Sequence, residues 1–211
     1  MRGDGRARGG PWRVDHRPHQ GEPLIIFLNG TSSSGKSSIA SELLRVLDTP
    51  YFHLSVDAIG ALRAVERTLE LDGPELADVL RRTRAGFHRA VAGMAQAGND
   101  VVVDHVLSEP WRLQDCLDVW EGLDVVFVGV HCPPDELERR EKARGDRVPG
   151  QAAAQLPFVH QHGLYDFECD TSTSSPRECA LAIRGFLVQA TGKRAFDELR
   201  GRTRRHGPSP G

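Results

Sequence analysis

The chain has 211 residues, with 27 basic and 29 acidic side chains and a formal charge of −2. That size suits one soluble domain plus tails, and acidic residues spread among the arginines exclude a general nucleic-acid surface. No stretch approaches the ~20 apolar residues of a membrane span, and the N-terminus lacks a signal-peptide apolar segment, so the sequence reads as cytoplasmic with no membrane partner. The four cysteines, Cys116, Cys132, Cys169 and Cys179, form no CxxC pair and sit in or beside apolar runs, as buried reduced thiols do.

Residues 1–22 carry Gly, Arg and Pro with almost no apolar periodicity, and a disordered tail is expected there. From residue 23 short apolar runs alternate with helical patterns. LIIFL (24–28), YFHLSV (51–56), VVVDHV (101–106) and DVVFVGV (124–130) predict strands of a buried parallel sheet, with FECD (167–170) a shorter fifth. Between them SIASELLRVL follows a glycine motif at helical spacing, and ELADVLRRTRAGFHRAVAGMAQAG predicts a long helix with Gly98 at its C-terminus. PDELERREKAR predicts a charged helix. SPRECALAIRGFLVQA opens with Ser175, Pro176 and Glu178 at capping-box spacing. This alternation implies an α/β three-layer α/β/α sandwich over 23–191. Residues 192–211, ending RGRTRRHGPSPG, are expected to be a frayed basic tail.

The informative stretch is Gly30-Thr31-Ser32-Ser33-Ser34-Gly35-Lys36-Ser37, which fits G-x-x-x-x-G-K-[ST] at every fixed position. Its glycines let consecutive N–H groups turn toward phosphate oxygens, and the following helix adds its positive end. Lys36 is placed to reach the β- and γ-phosphates of a nucleotide, Ser37 to complete a Mg²⁺ shell, and Ser38 to close the cradle. By composition alone the bare motif arises in about 1% of chains this long. The preceding strand and following helix make a serine-rich turn the weaker explanation.

Three further features bear on the fate of the phosphate. Asp57 follows the second strand, at the crevice where a carboxylate can take a proton from an attacking hydroxyl; it is equally suited to cap the helix AIGALRAVE. Asp104 ends the third strand, suited to holding Mg²⁺ through water or to satisfying loop amides. His105 beside it has no spaced partner and reads as a packing residue. In ERREKARGDR (138–147), Arg140 and Arg144 share a helix face and Arg147 follows a glycine. Such a cluster can close over a triphosphate and neutralise its charge, or it can be a solvated helix paired to Glu138 and Glu141.

Taken in order over 24–188, GTSSSGKSS, SVD, GPEL, VVVDHV, VVFVGVHCPPDELERREKARGDRVPGQA, VH and YDFECDTSTSSPRECA resemble the chloramphenicol phosphotransferase-like kinases. The resemblance implies a P-loop kinase fold with a five-stranded parallel sheet and ATP-dependent phosphorylation of a small-molecule hydroxyl, and leaves open whether antibiotic resistance is the role. It makes Asp57 the base, Lys36 and Ser37 the ATP·Mg²⁺ contacts, and Arg140, Arg144 and Arg147 lid residues. His160, Tyr165 and Asp166 also fit the pattern and read first as structural. His105 stands where the family pattern has a second acidic residue, and the Asp57–Gly73 segment is short, so the acceptor stays open. Chloramphenicol or a related antibiotic, a sugar, a shikimate-like metabolite and a nucleoside remain alternatives, as does a nucleotide-binding regulator or slow NTPase. The oligomeric state is likewise left open.

Overall fold

Five apolar runs become one sheet in a computed structural model of the chain, which describes residues 22–144, 150–190 and 192–205, the Arg144 side chain excepted. The strands are β1 (Leu24–Asn29), β2 (Tyr51–Ser55), β3 (Asp100–His105), β4 (Asp124–His131) and β5 (Phe167–Asp170). All four pairings are parallel, in the order β2-β3-β1-β4-β5. Ile25 stands opposite Val101 on one side and Val125 on the other, so β1 is flanked along its length by apolar strands.

Because side chains alternate across a strand, Ile25 and Phe27 face one layer while Ile26 and Leu28 face the other. The helices are α1 (Lys36–Val46), α2 (Val56–Ala61), α3 (Val65–Leu69), α4 (Gly73–Gln96), α5 (Pro110–Val119), α6 (Pro134–Arg144), α7 (Gln151–Val159), α8 (Pro176–Gln189) and α9 (Ala195–Arg205). Phe87 and Val91 of α4, Leu117 of α5 and Phe196 of α9 cover the first face. Ile39 and Leu43 of α1 and Ile183 of α8 cover the second. The result is the expected three-layer sandwich. No helix among the described residues is long and apolar enough to cross a membrane.

The helix ends follow the local chemistry. Asp72 and Glu75 form a capping box on α4, and Ser175 and Glu178 form the anticipated one on α8. At the far end of α4 the cap residue is Ala97. The expected Gly98 follows it at φ 94°, so the cap lies one residue earlier than expected, and the Gly98 N–H closes on the Ala95 carbonyl at 2.8 Å.

The chain end corrects the sequence reading. Residues 195–205 form α9 where a frayed tail was expected, because Ala195, Phe196 and Leu199 make a short apolar stripe that the surrounding arginines obscure. The Phe196 ring stacks on Trp120 with centroids 5.7 Å apart and meets Phe127 edge-on at 5.0 Å. Arg200 donates to the Leu117 carbonyl at 2.9 Å, and Asp166 accepts from the Ala195 N–H at 2.8 Å. The expected N-terminal tail, apart from Glu22, and residues 206–211 lie outside the described residues.

Candidate active site

The loop after β1 has the geometry that its spacing predicts. A Cβ on Gly30 would lie 2.4 Å from the Val130 carbonyl oxygen and 2.7 Å from Ser34 Oγ, so any side chain there forces β4 or the loop to shift. Ser33 takes φ 62°, the one positive φ outside glycine among the described residues, and Gly35 takes φ 95°. Left-handed residues interspersed in a turn are the backbone device by which such loops can turn amides toward one concavity. The Ser32, Ser33 and Ser34 hydroxyls are buried without a hydrogen-bond partner. Lys36, 6% exposed, donates to the Thr31 carbonyl at 2.7 Å. Buried polar groups are costly unless satisfied, so unpaired hydroxyls around a nearly buried ammonium fit an anionic polyphosphate. The Ser32 N–H is met at 2.7 Å by Gln155 of α7, a residue for which the sequence offered no signal.

The β4/β5 side braces this loop. Thr171, just past β5, donates its hydroxyl to the Ser34 carbonyl at 2.8 Å. Arg140 of α6 donates to Thr171 Oγ1 at 2.9 Å and to its carbonyl at 2.8 Å, while its Nε pairs with Glu136 at 2.7 Å. Arg140 is therefore tied to the wall of the loop and is absent from the residues lining the cleft in front of it. Among the described residues Glu141 pairs with no arginine of the kind expected of a solvated helix. It is buried and accepts from the N–H groups of Gly150 and Ala152 at 3.1 and 2.7 Å, fastening the start of α7. The Arg144 side chain and Arg147 lie outside the described residues.

On the β2/β3 side a cleft of about 590 Å³ opens from the loop. Lys36, Ser37, Ser38, Asp57, Asp104 and His105 all line it, so the sequence-predicted carboxylates and the phosphate loop share one space. Ser55, not Asp57, caps α2: its hydroxyl accepts from the Ala58 N–H at 3.1 Å, leaving Asp57 exposed in the first turn. Asp104 Oδ2 accepts from the Ser37 hydroxyl at 2.5 Å, and Oδ1 lies 3.8 Å from Lys36 Nζ. Among the described residues no group of three or more His, Cys, Asp or Glu could hold a metal ion. A Mg²⁺ here would draw on Ser37, on Asp104 and on phosphate or water oxygens, which suits a cation that keeps most of its waters.

Sequence reasoning missed the far wall of this cleft. Arg63, Thr83 and Arg84 line it with Arg112, 6% exposed on α5. It also missed a buried chain behind His105. His88 Nδ1 lies 2.6 Å from Asp115 Oδ2, and His88 Nε2 lies 3.2 Å from His105 Nε2. Burial holds His88 below its ordinary pKa and His105 well below it, which favours the neutral form of each ring. The Asp115 carboxylate can only accept, which puts the His88 proton on Nδ1 and makes its Nε2 an acceptor. His105 Nε2 must then donate, and its Nδ1, buried and unpartnered, is left as a lone-pair acceptor. A clue lay in His88 sitting directly beside Phe87 on the buried stripe of α4, but nothing in the sequence tied it to His105.

His160, Tyr165 and Asp166 stand outside the cleft. Tyr165 OH accepts from Asn29 Nδ2 at 2.7 Å and donates to His160 Nδ1 at 2.6 Å. Burial raises the tyrosine pKa and lowers that of His160 to about 4. Asp166 accepts from the Phe127 and Ala195 N–H groups, joining β4 to α9. These bonds tie β1, β4, α7 and α9 together away from the cleft lining.

Proteins of two Mycobacterium tuberculosis strains, carrying the provisional name O-phosphotransferase, are 30% identical over 220 residues, spanning 93% of this chain and 96% of theirs. Among solved structures, the Mycobacterium tuberculosis APS kinase in complex with AMPPNP and APS superposes with a TM-score of 0.61 at 20% identity, over 79% of this chain and 98% of that one. The Deinococcus radiodurans tunicamycin resistance protein gives 0.59 at 18% identity, over 82% of this chain and 98% of that one. At those identities the likeness establishes the fold. Residues 23–188 match the family described as chloramphenicol phosphotransferase-like protein, and the chain belongs to that family.

Proposed function

We propose that this P-loop phosphotransferase moves the γ-phosphoryl group of ATP to a hydroxyl of a small molecule. The observation that carries the reading is that Lys36, Asp57, and Ser32 and Ser33 with their unpaired hydroxyls line one and the same cleft. The loop amides and Lys36 hold the β- and γ-phosphates, and Arg140 keeps the loop seated on Thr171. Ser37 and Asp104 would hold Mg²⁺, which when bound neutralises phosphate charge. The acceptor oxygen forms a bond to the γ-phosphorus as the bond to the bridging oxygen breaks. Its proton passes to Asp57, and the bridging electron pair leaves with ADP. Positioning and charge stabilisation dominate such transfers, so loss of Asp57 slows the reaction more than it abolishes it.

The family name makes chloramphenicol the first acceptor to try. Purified protein with ATP and Mg²⁺ is incubated with a panel of alcohols, and mass spectrometry detects added phosphate. Acceptor-dependent transfer that is lost in Lys36→Ala and strongly reduced in Asp57→Asn supports the proposal. Full transfer by Lys36→Ala would sink it. ATP binding with no transfer to any alcohol would point to a nucleotide-binding regulator.

A further inference from the structure

The acceptor half of the cleft carries charge that the phosphate loop does not need. Its lining bears four cations, Lys36, Arg63, Arg84 and Arg112, against two carboxylates, Asp57 and Asp104. Lys36 and Asp104 sit together at the loop, 3.8 Å apart. Arg63 comes from the turn after α2, Arg84 from α4 and Arg112 from α5, all over the β2/β3 side. The loop has its own brace in Arg140 on the opposite, β4/β5 side.

The three arginines are poorly compensated. Arg112 donates to the Val106 carbonyl at 2.9 Å and pairs with Glu109, but its Nε is buried with no partner. Arg63 reaches Thr83 only at 3.5 Å, and its Nε is likewise buried and unpartnered. Arg84, half-buried, makes no hydrogen bond or salt bridge with a described residue. Burial first, and then Arg63, lower its pKa against the pull of Glu109 and Asp57. Arg112 is lowered by burial and then by Arg84. Clustered guanidiniums facing a cavity cost free energy unless an anion completes their hydrogen bonds, and their planar fork matches carboxylate, phosphate or sulfate bidentately. Val56, Ala61, Val65, Leu80 and Val106 line the same cleft, which gives a small carbon skeleton somewhere to rest.

From this arrangement we infer that the acceptor is an organic anion, an alcohol whose second group, a carboxylate, phosphate or sulfate, is clamped by Arg63, Arg84 and Arg112. This deepens the phosphotransferase reading and rests on it. The clamp holds the anionic group against α4 and α5 while the hydroxyl is presented to Asp57. Chloramphenicol, which is neutral, leaves the clamp unfilled.

The test separates the clamp from the chemistry. The full chain is first saturated with AMP-PNP and Mg²⁺, so that the phosphate loop is occupied. Sulfate, phosphate and acetate are then titrated by calorimetry into wild type, Arg84→Gln, Arg63→Gln and a control, Arg82→Gln, whose side chain pairs with Asp78 on the surface of α4. We expect at least one anion to bind wild type and Arg82→Gln at least tenfold more tightly than Arg84→Gln or Arg63→Gln, with the difference shrinking as salt rises. Melting curves show whether each variant is folded, and the two clamp variants serve as checks on each other. The absence of any arginine-dependent anion binding to the nucleotide-filled protein overturns the inference.

Transfer assays on matched pairs give the second arm: glycerol against glycerate, glucose against glucose 6-phosphate, adenosine against adenosine 5′-monophosphate, with chloramphenicol as a further neutral alcohol. Preference for the anionic member, lost about tenfold to hundredfold in kcat/KM in Arg84→Gln, supports the clamp. Equal losses with neutral and anionic acceptors assign Arg84 to the transferring phosphoryl group and overturn it. No transfer to any alcohol refutes the phosphotransferase reading, while the calorimetry still decides the anion site.

Discussion

Replacing Gly30 by alanine adds one methyl group at the most confined point of the phosphate loop. The new carbon would stand 2.4 Å from the Val130 carbonyl oxygen and 2.7 Å from Ser34 Oγ. The serine hydroxyl can rotate away, but the carbonyl cannot, since Val130 is paired with Cys169 in the β4–β5 ladder. An ordinary contact requires about 1 Å more, so either β4 or the loop must move by that amount. Overpacking of this kind costs about 1–3 kcal/mol, and a displacement of roughly 1 Å in a positioning group can cost about a hundredfold in function. The assay pairs denaturant unfolding with AMP-PNP·Mg²⁺ binding by calorimetry. Gly30→Ala should lower the unfolding midpoint and weaken nucleotide binding by at least tenfold. Gly93→Ala is the control, because that glycine is exposed on α4 with nothing within 4 Å of the new carbon. It should leave binding alone and stabilise the fold by roughly 0.5–1 kcal/mol. A Gly30→Ala protein with wild-type affinity and stability would refute the reasoning.

Phe196→Ala removes a ring packed among Phe27, Trp120 and Phe127 and should destabilise the protein by about 3–5 kcal/mol in denaturant melts; an unchanged midpoint would mean α9 is not docked. Tyr165→Phe deletes the hydroxyl between Asn29 and His160 and should cost about 1–2 kcal/mol. Turnover should be retained, and a selective loss of kcat without loss of stability would return Tyr165 to the chemistry. His160 and His162 are each held near pKa about 4 by burial, below the unfolded value of about 6.5. Their folded forms bind fewer protons than the unfolded chain, so the stability they contribute is complete above pH about 6.5 and is lost toward pH about 4. Melting temperatures should fall across that window, with a shallower slope in His162→Gln; a wild-type slope in that variant would contradict the assignment.

What could be read from the chain depended on how local the signal was. The phosphate loop was legible because its constraints lie within eight consecutive residues and each has its own physical cause, from the packing of Gly30 to the φ of Gly35. β5 was legible despite its four residues, since FECD stands between clear turn chemistry and a capping box. α9 was hidden because composition averages over a segment, whereas docking needs only Ala195, Phe196 and Leu199. The arginine wall could not be found at all. Arg63, Arg84 and Arg112 belong to three elements and meet only after β3 and α5 have carried the chain across the sheet. The same holds for His88 and His105, whose partnership depends on the packing of α4 over β3. Asp57 lines the cleft, and the alternative of a helix cap fails because Ser55, two residues earlier, takes the Ala58 amide.

The central position of β1 orders the whole site. Its loop has neighbours on both sides, and they differ in kind. Toward β4 and β5, Arg140, Thr171 and Glu136 bond to one another and to loop carbonyls, so that side is satisfied and fixed. Toward β2 and β3, Asp57, Arg63, Arg84 and His105 face open volume, with buried nitrogens left unpartnered on Arg63, Arg112 and His105. Buried polar groups without partners are rare unless something else supplies the bond. The closed side is therefore suited to hold a nucleotide common to many reactions, and the open side to select the acceptor. Asn29, the last residue of β1, ties the two together: its Oδ1 accepts from Leu107 after β3, while its Nδ2 reaches Tyr165 before β5. On the proposed reading the selecting wall is carried by Arg63 after α2, Arg84 of α4 and Arg112 of α5, none of which bonds to the loop or to its braces among the described residues. If those arginines select the acceptor, its identity can change through them while the loop, Asp57 and the Arg140–Thr171 brace stay in place.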